Sequence, residues 1–334
     1  MRLLNTSIVL LAALLSLVFS PLSYSVDINS DTTNAKWHAY PQDLPQLDFA
    51  GNKLKEHWPT LAAATKLPFP DATVIESMLK SNPRLAEQQL LAANKEGAHP
   101  ALSASMNDYQ ELALLVQDVW RLHFQGQYQQ AYSMGISLGP IAMGPALYAK
   151  LIYTTYLVKD AKQKEQLFVE ADQEFAKILP FADKYDFIFF GDAYQKARRL
   201  ELMSTSAATA SGLITVTQDT LEKLQQHSPD HPLYVAIIAS IDAGIIERVG
   251  GFVAGMTFGA DEDESMALFK KVLQSYPSLT VLHNEFAQFI LRLDDSDYDS
   301  LLLATLKRCD SLTAVSAEEA LNQRSCRQLL QQRL

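Results

Sequence analysis

Glycine is scarce, 13 residues in 334, and the hairpin-closing dipeptides Asn-Gly and Asp-Gly do not occur. An architecture rich in tight β-hairpins is therefore a poor reading. Cysteine is scarcer still, with only Cys309 and Cys326 and no CxxC, and no histidine stands beside either. A thiolate metal centre lacks its ligands, whereas a lone pair in an exported chain reads as a disulfide. Positive charge is short as well, with 28 Lys+Arg against 38 Asp+Glu and a net charge of −10. Nucleic acid and anionic lipid surfaces are poor partners for such a surface. After the first 25 residues no apolar run reaches the roughly 18 residues of a membrane-spanning helix.

What is present is an ordinary globular composition, 48% hydrophobic and 20% charged, enough to bury a large core. Residues 1–25 have Arg2, an apolar stretch from Ile8 to Phe19, and Ser23 and Ser25 at the −3 and −1 positions. That is the pattern of a secretory signal, with cleavage expected before Val26. Cleavage removes one Arg and no acid, so the net charge moves from −10 to −11. The mature chain is expected to be soluble and periplasmic, without a lipid anchor, since no cysteine lies near the cleavage site. Residues 26–50, rich in Asp, Asn, Thr, Pro and Gln, predict a leader poorly ordered in part. Residues 51–104 predict an N-terminal helical segment, with helices over Lys53–Thr65 and Asp71–Lys80, the second capped by Asp71.

Residues 105–334 show a repeating grammar of paired helices. The segment from Asp108 to Gln125 ends at Gly126, a second helix opens at Tyr128, and successive pairs are expected to close near Pro145, Pro180, Pro229 and Pro277. Helix pairs punctuated in this way predict an all-α fold, an antiparallel helix-pair array. Gly126-x-Tyr128-x-x-Ala131, and Ala267, Phe269 and Pro277, resemble the turn and second-helix positions of tetratricopeptide repeats. The last third, with Asp297 or Asp299, Leu302, Leu303, Leu321, Asn322, Leu329 and Leu330, resembles the periplasmic T-component of TRAP-type transporters. That resemblance implies a solute receptor as protein partner and a hydrophobic channel through the array.

The stretch VGGFVAGMTFGADEDES, 249–265, sets Gly250, Gly251, Gly255 and Gly259 in an apolar run. It lacks the Lys and hydroxyl of a phosphate loop, and the acids that follow would repel a phosphate. Two readings remain. In one, the glycines let this connector, like the apolar connector 204–216, fold inward and pack closely on helices. In the other, Phe252, Met256 and Phe258 join Met134 and Met143 to line a groove for an apolar small ligand.

Other constellations are weaker. His227 and His231 have i,i+4 spacing, but Pro229 and Pro232 forbid the helix that would aim both at a metal. Asp295, Asp297 and Asp299 lack the Gly and Glu of a calcium loop and read better as an acidic helix start. Glu56-His57-Trp58 offers acid–base groups with no nucleophile motif beside it. His123 reads as a packed residue. The expectation is an exported, non-enzymatic binding protein without cofactor or metal; the alternatives are an envelope scaffold without ligand and a hydrolytic enzyme.

Overall fold

A computed structural model describes residues 37–333. The signal expected at 1–25 and the leader as far as residue 36 lie outside the described residues. Residues 37–50, expected to be poorly ordered in part, dock on the helices. The Trp37 ring stacks on Tyr153 at 4.2 Å and Phe49 is buried.

Every regular element among the described residues is helical. The N-terminal segment holds α1 (Lys53–Leu61), α2 (Ala72–Ser81), α3 (Pro83–Ala93) and the single turn α4 (Leu102–Ser105). Its boundaries follow local chemistry. The Asp71 carboxylate accepts the Val74 N–H at 3.0 Å, and Asn82 caps α3 through the Leu85 N–H at 3.0 Å with Pro83 in the first helical position.

Next come α5 (Tyr109–Phe124), α6 (Tyr128–Leu138), α7 (Pro140–Tyr156), α8 (Ala161–Ile178) and α9 (Asp186–Leu202), packed in sequential pairs. Gly126 turns α5 into α6 at φ +78°, and a Cβ there would lie 2.6 Å from the Tyr40 ring. Tyr128 and Ala131 are buried as expected. Gly135 lets α6 meet α7, since its Cβ would fall 2.5 Å from that of Ala146. The expected closure at Pro145 is corrected. Pro145 lies inside α7, and the break falls at Gly139, φ +79°, with Pro140 opening the helix. Pro145 costs α7 the donor to the Ile141 carbonyl, but α7 is buried from Ala146 through Thr154, and tertiary packing overrides that local penalty.

The chain continues through α10 (Thr205–Ser211), α11 (Leu213–His227), α12 (Pro232–Val249), α13 (Gly251–Phe258), α14 (Glu262–Ser275), α15 (Thr280–Leu293), α16 (Asp299–Ser311) and α17 (Ala317–Arg333). Pro229 and Pro277 fall in the connections after α11 and α14, and Pro180 in a 3-10 turn after α8. Helix α12 is apolar on all sides because it serves two cores. Leu233, Ile237 and Ile241 belong to one, while Val235, Ala239 and Ala243 belong to the other. In α14 Phe269 is buried but Ala267 is exposed, so Ala267 is not the close-approach position the repeat pattern assigns it.

The connectors do not fold inward. Each forms a short surface helix, α10 burying only Ala208 and α13 only Ala254. A two-turn helix presents one narrow face to its neighbours, so Phe252, Val253 and Met256 of α13 are left exposed. The Cys309–Cys326 disulfide links α16 to α17 across a sequence separation of 17, consistent with an oxidising, extracytoplasmic location. No helix among the described residues is long and apolar enough to cross a membrane.

Candidate functional site

A cavity of about 540 Å³ opens between α2, α5, α7 and the start of α9. Its walls follow from helical periodicity. Val74 and Met78 stand one turn apart on α2, and Val116 and Trp120 do the same on α5. From α7 come Ile141, Gly144 and Pro145, so the carbonyl that Pro145 leaves without its helical donor belongs to a wall residue. Phe187 and Ile188 of α9 close the far side. A Cβ at Gly144 would make ordinary contacts with Ile188 and Phe187, at 3.5 and 3.6 Å.

Polar groups occupy the edges. Lys66 and Lys184 are exposed lining residues, and Asp186 is half-buried. His231 is 6% exposed, and its ring stacks on Tyr234 at 3.7 Å. Its Nε2 lies 3.2 Å from the Thr65 carbonyl, which only accepts, so Nε2 carries the proton. Nδ1 is then a buried acceptor with no hydrogen-bond partner. Burial pushes the His231 pKa down to about 4, so the ring is neutral near pH 7. A largely apolar chamber with a few edge-placed polar groups suits a small amphipathic guest.

The five residues expected to form a groove do not come together here. Met134 and Met143 are partly buried against the main core, as is Phe258. Phe252 and Met256 are 81% and 76% exposed on α13. None of the five lines the cavity, although Gly144 and Pro145, next to Met143, do. The prolines at 68, 70, 140 and 145, which all line it, were the available signal. Prolines leave segments that cannot close tightly on one another, but sequence alone does not show that these four share a wall.

A second polar cluster lies deep in the fold. His123 is fully buried with Nε2 3.4 Å from Glu318 of α17, whose other carboxylate oxygen accepts the Tyr148 hydroxyl at 2.6 Å. Asn322 accepts the Tyr156 hydroxyl at 2.7 Å and the Asn284 amide at 3.0 Å. A void of about 20 Å³ beside Tyr148, Tyr156 and Glu318 has room for one water. This cluster stitches α17 to α5, α7 and α15.

A GxSxG pentapeptide does occur, Gly135–Gly139. Ser137 lies in the last turn of helix α6, and its hydroxyl donates to the Met134 carbonyl at 2.7 Å. A nucleophile elbow needs a strand-to-helix turn, which this segment lacks. Among the described residues, no three His, Cys, Asp or Glu side chains converge as a metal site. His227 is exposed at the end of α11, 3.8 Å from Asp186, and Asp295 caps a 3-10 turn before α16 through the Asp297 N–H. Comparison with known proteins found no matching protein family, no matching curated protein and no matching solved structure.

Proposed function

We propose that the protein is an exported, non-enzymatic binding protein whose helix pairs form a tetratricopeptide-like array, and that it holds an apolar small ligand in the cavity under α2. The single observation that carries this reading is the chamber itself, about 540 Å³ with hydrophobic walls and polar groups at its edges. The buried disulfide supports a periplasmic setting. The resemblance of the α14–α17 segment to TRAP T-components supplies the wider role, with a solute receptor as the partner that delivers or receives the ligand.

The test is titration with the neutral fluorophore N-phenyl-1-naphthylamine. Val74 is half-buried on the cavity wall, so Val74→Trp fills the chamber with little disturbance of the core. Saturable one-to-one binding is expected, weakened about tenfold or more in the variant with an unchanged melting temperature. Equal binding by both proteins, or none by the wild type, removes the ligand reading.

A second reading, a protein scaffold, is favoured by one feature. Phe252, Val253 and Met256 form an exposed apolar face on α13.

A further inference from the structure

We infer that the ligand is an elongated amphipathic anion, its apolar chain lying under α2 and its head group held by Lys66 or Lys184. This rests on the cavity reading above and adds the charge and length of the guest.

The charge follows from what surrounds the opening. Lys66 and Lys184 both line the cavity, and among the described residues neither forms an ion pair. The Lys66 ammonium lies over the Tyr276 ring at 5.3 Å, and Lys184 donates to the Ser81 carbonyl at 3.4 Å. Asp186 is the acid on the wall, so two cations face one carboxylate in a chain whose net charge is −10. Asp230, next to His231, is engaged by Lys271 at 2.7 Å. Lysine ammonium groups at the opening draw an anionic head group and repel a cationic one. The walls between the lysines offer an alkyl chain hydrophobic side chains such as Ile75, Met78 and Phe187.

The length follows from the helix that lines the chamber. Lys66 belongs to the segment before α2, next to Thr65, whose carbonyl receives His231. Lys184 reaches Ser81, the last residue of α2. Helix α2, whose Val74, Ile75 and Met78 line the cavity, is ten residues long, about 15 Å and comparable to an extended alkyl chain of about a dozen carbons. A chain anchored at either lysine can run along the same apolar floor.

The experiment compares cis-parinaric acid with its methyl ester on the full chain, in low salt. The acid is expected to bind about five- to thirtyfold more tightly than the ester, and Lys66→Gln with Lys184→Gln to bring it to the ester's affinity. The single variants tell which lysine holds the head group. Both lysines are exposed, so the variants should keep the wild-type melting temperature. Competition by dodecanoate and by dodecyl phosphate then separates a free fatty acid from a phosphate-headed lipid. If acid and ester bind equally and the lysine variants change nothing, the anionic head is overturned while the cavity reading stands. If neither probe binds, or Val74→Trp leaves both unaffected, the cavity reading falls and this inference with it.

Discussion

His231 shows what burial does to one side chain. It opens α12, gives its Nε2 proton to Thr65 and lies flat on Tyr234, so the folded protein keeps the ring neutral. Its folded pKa of about 4 lies below the ordinary 6.5. The unfolded chain thus binds the proton more readily, and the stability from the neutral ring is fully present above about pH 6.5 and lost as pH falls toward 4. Two carboxyls act in the opposite sense. Burial raises Asp242 to about 6 and Glu319 to about 7. Their contribution is present below the ordinary carboxyl range and is lost as pH rises through those values. A wild-type pH profile mixes both signs, so a variant must isolate the histidine. His231→Gln keeps a donor for Thr65 and removes the titration. Between pH 7 and pH 4.5 the wild type is expected to lose about 2 kcal/mol more than the variant, measured by urea unfolding at each pH. Parallel profiles would show that the ring charges as easily folded as unfolded.

At the scale of an element, α13 separates glycines that the turn requires from glycines it tolerates. Gly250 has φ +78° and ψ 151°, a region open essentially to glycine alone. Gly255 lies mid-helix, where a Cβ would meet only the Ala260 carbonyl at an ordinary 3.6 Å. Neither an overpacked core nor a filled groove is then expected from a side chain at 255. Gly255→Ala should stabilise by about 0.5–1 kcal/mol through helix propensity, and Gly250→Ala should destabilise by about 1–3 kcal/mol. Thermal unfolding of the pair decides, and a loss of stability in Gly255→Ala would reveal a contact at that position. Caps were legible in the sequence for the same local reason. Asp71 and Asp261 each accept a backbone N–H three residues ahead, at 3.0 and 2.8 Å, so a short stretch carries the whole signal. Which way Phe252 and Met256 face was not legible, because that depends on how the ends of α13 meet α11 and α12.

At the scale of the molecule, two cores share α12, and the C-terminal hairpin closes the second. The α16–α17 bond is buried at both sulfurs, with Cys309 and Cys326 each fully inaccessible. A reductant should therefore leave it intact in the native protein and open it once the chain unfolds. Closing a loop of 17 residues is worth about 3 kcal/mol in the chain-entropy account. Cys309→Ser with Cys326→Ser should lower unfolding free energy by roughly that amount, and mass spectrometry after alkylation should find thiols only in reduced, denatured wild type. Two thiols alkylated in the native, unreduced protein would exclude the bond. Helix α17 also anchors through Glu318 and Asn322 to Tyr148 and Tyr156, so the variant should keep its helical content.

The sequence by itself determined the all-α class, most of the longer helices, the Asp71 cap, most of the prolines that separate helices and the cysteine pair. These follow from interactions within one or two turns, or from an arithmetic with a single solution. It also placed Gly126, Tyr128 and Ala131 in a helix–helix turn, because the backbone demand of a tight turn is local. Only the tertiary structure decided that Pro145 continues a helix, that the connectors lie on the surface, and that the chamber sits under α2. Its walls come from five separated stretches, Thr65–Leu85, Val116–Trp120, Pro140–Pro145, Ile178–Ile188 and Ser228–Tyr234. A void is what several packed surfaces fail to fill together, and no single stretch of chain encodes it.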